Sequence, residues 1–118
     1  MLKRVRVIVE GSDRELAVAE VADRAIPRLV GLLGRSGLAE GDGLVLKPCS
    51  SIHTCFMRFP IDVLFLDAEG TILRVARAVT PYRAAAGGWR ARIAVELPAG
   101  TAARAGVQPG ARVRLEPI

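Results

Sequence analysis

Two apolar runs joined by a tight turn constrain this chain more than any other feature. Ile61-Asp-Val-Leu-Phe-Leu-Asp67 and Thr71-Ile-Leu-Arg-Val-Ala-Arg-Ala-Val79 are rich in β-formers, and Asp67-Ala-Glu-Gly70 between them supplies a glycine where φ must be positive. The pair predicts a β-hairpin. Ile61, Val63, Phe65 and Ile72 then face apolar surroundings, while Arg74 and Arg77 reach solvent. A chain committed to such a hairpin must cover it, and the rest of the sequence offers mostly further short strands.

Val5 to Glu10 alternates and stops at Gly11-Ser-Asp13. Glu15 to Ala22 alternates again, with a helix as the competing reading because Ala and Glu favour one. Asp23 is placed to cap a short helix running to about Arg35, with Pro27 in its first turn. Gly41-Asp-Gly43 turns into a strand over Leu44 to Lys47. Pro81 to Arg90 reads as a loop and Arg92 to Leu97 as a strand. Thr101 is expected to cap one helical turn that closes at Gly106, ahead of a last strand over Arg112 to Glu116. The prediction is one mainly β domain over residues 1–118. It is a compact antiparallel sandwich or barrel of about six short strands with one or two short helices.

Composition narrows the function classes. The chain has 118 residues, of which 51% are hydrophobic and only 4% aromatic, so Val, Leu, Ile and Ala must fill the core. No stretch is long and apolar enough to span a bilayer, and Met1 to Glu10 is too charged for a signal peptide. A cytoplasmic location is therefore expected, with Cys49 and Cys55 as reduced thiols. The protein is basic, at a net +5, and the excess is uneven. Between Glu69 and Glu96 there is no acidic residue, while Arg74, Arg77, Arg83, Arg90 and Arg92 fall there. Arg83, Arg90 and Arg92, beside Tyr82 and Trp89, are the candidate anion-binding group; a solvated basic face is the plainer reading.

The chemistry-bearing residues concentrate in Cys49-Ser-Ser-Ile-His-Thr-Cys-Phe-Met-Arg-Phe-Pro-Ile-Asp62. Asp62 opens an apolar strand, and a carboxylate there must be hydrogen-bonded or paired. Cys49, His53 and Cys55 offer a three-ligand spacing, but it is not a usual zinc knuckle and no second ligand pair follows, so no metal is expected. A nucleophile dyad of Cys55 or Cys49 with His53 lacks a visible oxyanion hole or third group.

The motifs Arg28-Leu-Val-Gly-Leu-Leu-Gly-Arg35, Gly43-Leu-Val-Leu, Ile52-His-Thr-Cys-Phe-Met, Phe59-Pro-Ile-Asp-Val-Leu-Phe-Leu-Asp67 and Glu96-Leu-Pro-Ala-Gly100 stand in the order found in one family. From Val18 to Leu115 the chain resembles the uncharacterised bacterial and archaeal proteins catalogued as domain of unknown function 192. The resemblance implies a mainly β, sandwich-type fold and no established activity. It singles out Arg28, Gly31, Arg35, Asp62 and Glu96; many members carry a Trp-Met pair where this chain has His53-Thr54.

The candidate ligand-binding residues are therefore Arg28, Arg35, His53, Thr54, Asp62 and Glu96. The plainer reading of Asp62 with Arg28 or Arg35 is a buried ion pair. With no complete catalytic constellation, the expectation is a non-enzymatic binding or accessory module with a pocket near His53 and Asp62. The alternatives are a small hydrolase-like enzyme using His53, Cys55 and Asp62, or an anion or nucleic-acid binder acting through residues 81–92. No cofactor is expected. The expected partner is a small molecule or a protein and not nucleic acid, for which the aromatics are too few and the excess charge too moderate.

Overall fold

Central strands can be recognised by burial on both faces, and Ile61–Leu66 is buried at every position. It is the fifth of nine strands in the structure, a computed structural model that describes residues 3–23 and 35–118. In chain order the elements are β1 (Lys3–Val9), β2 (Arg14–Ala22), β3 (Asp42–Leu46), β4 (Ser51–His53) and β5 (Ile61–Leu66). There follow β6 (Ile72–Val79), β7 (Ala84–Ala86), β8 (Ile93–Pro98), a short helix α1 (Thr101–Ala105) and β9 (Val113–Pro117). Seven strands form one sheet in the order β6-β5-β8-β3-β2-β1-β9, and β4 pairs with β7 in a two-stranded ribbon.

The large sheet curls into a half-barrel. A bridge between Thr71 and Arg112, with Ile72 N–H donating to the Ala111 carbonyl and Val113 N–H to that of Gly70, draws its two edge strands together at one corner. All seven strands send side chains into the enclosed core, among them Val7, Ala19, Val45, Leu64, Ile72, Val95 and Val113, and α1 adds Ala102. The opposite, outer face carries Leu44, Leu46, Ile61, Val63, Phe65 and Ala94 and is covered by Ile52 of β4, Ala85 of β7 and Met57. The ribbon lies close on β5: a side chain at Gly87 would run into Phe65 and Ala91.

The hairpin β5–β6 forms where the sequence places it, with an addition. Ile61 pairs with Val79 and Val63 with Ala76, so Arg77 and Ala78 together oppose Asp62. This is a β-bulge, and Ala78 takes φ 48° to make it. An L-residue in that region costs about 1–2 kcal/mol, of which glycine's greater freedom when unfolded would offset about 0.5–1. Ala78→Gly should therefore raise stability by about 0.5–1 kcal/mol in urea unfolding; a loss of stability would mean that the bulge is held in some other way.

Three local expectations are corrected. The pair β2–β3 runs parallel within an otherwise antiparallel sheet. A parallel neighbour needs a long crossover, here residues 23–41. The loop expected over Pro81 to Arg90 contains β7, whose Ala84–Ala86 pairs with Ser51–His53 and so escapes any apolar-run criterion. The cap of α1 is Gly100 rather than Thr101, whose hydroxyl donates backwards to the Pro98 carbonyl at 2.7 Å. The helix expected between Asp23 and Arg35 lies, its two ends apart, outside the described residues, as does Arg28.

Candidate functional site

Strand alternation sorts the candidate residues onto two faces of the sheet. On β8, Val95 and Leu97 enter the enclosed core while Ala94 joins the outer cluster, which puts Glu96 on the outer face. On β5, Leu64 and Leu66 enter the enclosed core, which puts Asp62 on the inner face.

Asp62 is 1% exposed and fully occupied by backbone. Its Oδ1 accepts from Ala78 N–H at 2.8 Å, and its Oδ2 from Gly100 N–H at 3.0 Å and Ala102 N–H at 2.9 Å. Gly100 brings no side chain to cap α1, so a carboxylate from β5 does so across the fold. One residue thus ties the β6 bulge to the start of α1. Of the two arginines expected as its ionic partner, Arg35 pairs with Glu20 at 3.3 Å, and Arg28 lies outside the described residues.

Glu96 is 4% exposed, and among the described residues it makes no hydrogen bond. Burial pushes its pKa up to about 7, opposed by the positive charge of Arg35. Glu20 pairs across Leu44 with the same row of the outer face, so Glu20, Arg35 and Glu96 form one charged group there.

The remaining candidates sit at the ribbon. Thr54 has no accessible surface, and its hydroxyl donates to the Thr80 carbonyl at 2.6 Å while accepting from Arg83 N–H at 2.9 Å. Its backbone takes N–H groups from Met57 and Tyr82 and donates to the Arg83 carbonyl. Thr54 therefore knots the turn 54–57 to the turn 80–83. Each turn presents an exposed ring in left-handed backbone: Phe56 at φ 64° is 72% exposed and Tyr82 at φ 61° is 65% exposed. The two rings meet edge to face at 5.7 Å. Neither was singled out as a site from sequence, although Tyr82 was noted beside Trp89; residue type alone gives no sign of a strained, exposed pair.

At the far end of the ribbon Gly87 N–H donates to the Ser50 carbonyl, and Trp89 beyond it is 86% exposed. Arg92 fixes that turn by donating to the Trp89 carbonyl at 2.8 Å. Arg90 reaches Asp67 at 3.5 Å, and Arg74 donates to the Ala86 carbonyl at 2.7 Å. Arg58, Arg77 and Arg83 are exposed and, among the described residues, form no salt bridge. His53 is exposed, and its Nδ1 accepts from Cys55 N–H at 3.3 Å. Among the described residues no group of three or more His, Cys, Asp or Glu side chains is placed to hold a metal. A cleft of about 340 Å³ between Lys3, Val5, Val21, Lys47 and Leu115 contains none of the residues picked out from sequence.

Fold and site together define a half-barrel β domain with a covering ribbon, a carboxylate latch inside and a basic, aromatic-tipped edge outside. The chain belongs to the family described as Uncharacterized ACR, domain of unknown function 192, whose model matches residues 7–115. A protein of unknown function from Novosphingobium aromaticivorans DSM 12444 shares the fold at TM-score 0.84 and 24% identity, over 96% of this chain and 86% of that one. A "putative transcription regulator" of Sinorhizobium meliloti 1021 matches at TM-score 0.82 and 27% identity, over 98% of this chain and 94% of that one. No curated protein matches. Among the described residues no helix is long and apolar enough to cross a membrane.

Proposed function

We propose that this chain is a non-catalytic binding module whose contact surface is the ribbon edge and whose partner is an anion-rich molecule. The observation that carries this reading is the coincidence of exposed rings and one-signed charge. Residues 50–60 and 80–92, the ribbon and its turns, hold Arg58, Arg83, Arg90 and Arg92 and no acidic side chain, although Arg90 is paired with Asp67. Such a surface attracts polyanions over a Debye length.

A pocket shared by His53 and Asp62 has less support, because Asp62 lies on the inner face with its oxygens committed to backbone. The hydrolase-like alternative meets the same separation. The His53 Nδ1 is also occupied by a backbone N–H, so that nitrogen is not free to act as a base toward Cys55.

The test is binding of fluorescent heparin, a polyanion without bases, at low and physiological salt. Binding should weaken steeply with salt, and the double variant Arg58→Glu/Arg83→Glu should lose about tenfold or more in affinity. Undiminished affinity in that variant would remove the ribbon edge as the contact surface.

A further inference from the structure

Strain and exposure at the same ring ask for an explanation that charge alone does not give. Left-handed backbone at a bulky residue persists where the surroundings enforce it, and such residues cluster at functional sites. Here the Thr54 knot enforces it twice, at Phe56 and at Tyr82, and each time the result is a ring held out in solvent.

The ribbon sets the spacing of the aromatic groups. Hydrogen bonds run along it from Tyr82 N–H to the Thr54 carbonyl at one end to Gly87 N–H and the Ser50 carbonyl at the other. On the facing strand the same length, Ser50 to Thr54, is four residue steps, about 13 Å if extended. Phe56 and Tyr82 stand at one end of that length and Trp89 beyond the other, with the exposed short residues Ser51, Ala84 and Ala86 and the exposed His53 between them.

Resting on the binding-module reading above, we propose that the partner is single-stranded nucleic acid lying along the ribbon. Bases stack at the Phe56–Tyr82 pair and at Trp89, and phosphates meet Arg58, Arg83 and Arg92. Stacking platforms joined by a basic track are how single strands are held without sequence readout. An acidic peptide would satisfy the arginines but leave the held-out rings without a role. A duplex keeps its bases stacked inside and offers the rings nothing. An anionic membrane surface would need a contiguous apolar patch, whereas here the rings are parted by a ribbon of Ser, His and Ala.

Trp89 is the only tryptophan of the chain, so its fluorescence reports the site directly. The intact protein is titrated with oligothymidylate of about twelve nucleotides, with the corresponding duplex, with heparin and with anionic phosphatidylserine vesicles. Phe56→Gly and Tyr82→Gly remove the rings and suit the positive φ, so these variants should keep the fold, which melting curves verify. Expected are quenching of Trp89 by the single strand, at least tenfold weaker binding of the duplex, and a loss of about tenfold for Trp89→Ala and for each glycine variant. Equal binding of heparin and oligonucleotide, unchanged in the ring variants, would overturn the nucleic-acid inference and leave the binding-module reading standing. Preference for vesicles or for duplex would overturn it as well. Failure of every polyanion to bind would overturn both readings.

Discussion

Asp62→Ala should destabilise the protein by roughly 3–5 kcal/mol, the largest loss expected from any single side chain described above. Removing the carboxylate strands three backbone N–H groups, those of Ala78, Gly100 and Ala102. A buried donor left without a partner costs about 1–3 kcal/mol each, partly relieved where water can enter. Asp62→Asn separates the contributions. Its carbonyl oxygen can keep the bonds from Gly100 and Ala102, but its amide would then present a donor to the Ala78 N–H. The asparagine variant should therefore lose about half as much as the alanine variant. Amide exchange at Ala78 should accelerate in both, and at Ala102 chiefly in the alanine variant. Heparin binding by Asp62→Asn should match wild type, because the ribbon edge lies on the other side of the sheet. Urea unfolding decides the stability claim, and a loss below about 1 kcal/mol for Asp62→Ala would show that the latch is not what holds α1 to the sheet.

How much of this latch was legible in the sequence follows from distance along the chain. That Asp62 must be buried and satisfied is readable from Ile61, Val63 and Leu64 around it. Its partners are not, since they lie 16, 38 and 40 residues away and are main-chain groups that no residue type advertises. Arg28 or Arg35 is the partner that residue type suggests; Arg35 pairs with Glu20, and Arg28 lies outside the described residues. The β5–β6 hairpin was legible because its turn is local and its alternation long. The ribbon was not: β4 and β7 have three residues each, and β7 is Ala-Ala-Ala, which carries neither periodicity nor β-propensity. Thr54 stood among the candidate ligand contacts and is instead a buried knot. The rings it holds out, Phe56 and Tyr82, depend on backbone angles that sequence patterns do not encode at non-glycine positions. The basic excess of the second half was plain from charge counting, but its assembly with Arg58 along one edge needed the fold.

Glu96 makes the second large prediction, and its sign is opposite to that of most carboxylates. Its ordinary pKa of 4.5 rises to about 7 in the folded chain because burial disfavours the charge more than Arg35 favours it. Between those two values the folded state binds more protons than the unfolded state. Stability from this group is therefore greatest below about pH 4.5, falls as pH rises through the window, and is lowest above about pH 7. At about 1.36 kcal/mol per pH unit, the window corresponds to roughly 3 kcal/mol. Glutamine reproduces the neutral acid without the charge. Glu96→Gln should thus be close to neutral near pH 4.5 and stabilising by up to roughly 3 kcal/mol at pH 8. Other titrating groups are common to both proteins, so the difference between the two stability curves isolates Glu96. Urea unfolding of both at a series of pH values supplies that difference. A constant offset would mean that Glu96 titrates alike in the folded and unfolded chain, and that the outer face tolerates its charge. A difference growing from pH 4.5 to 7 would show a carboxyl kept at a cost in stability, beside Glu20 and Arg35, on the face of the sheet that the latch does not use.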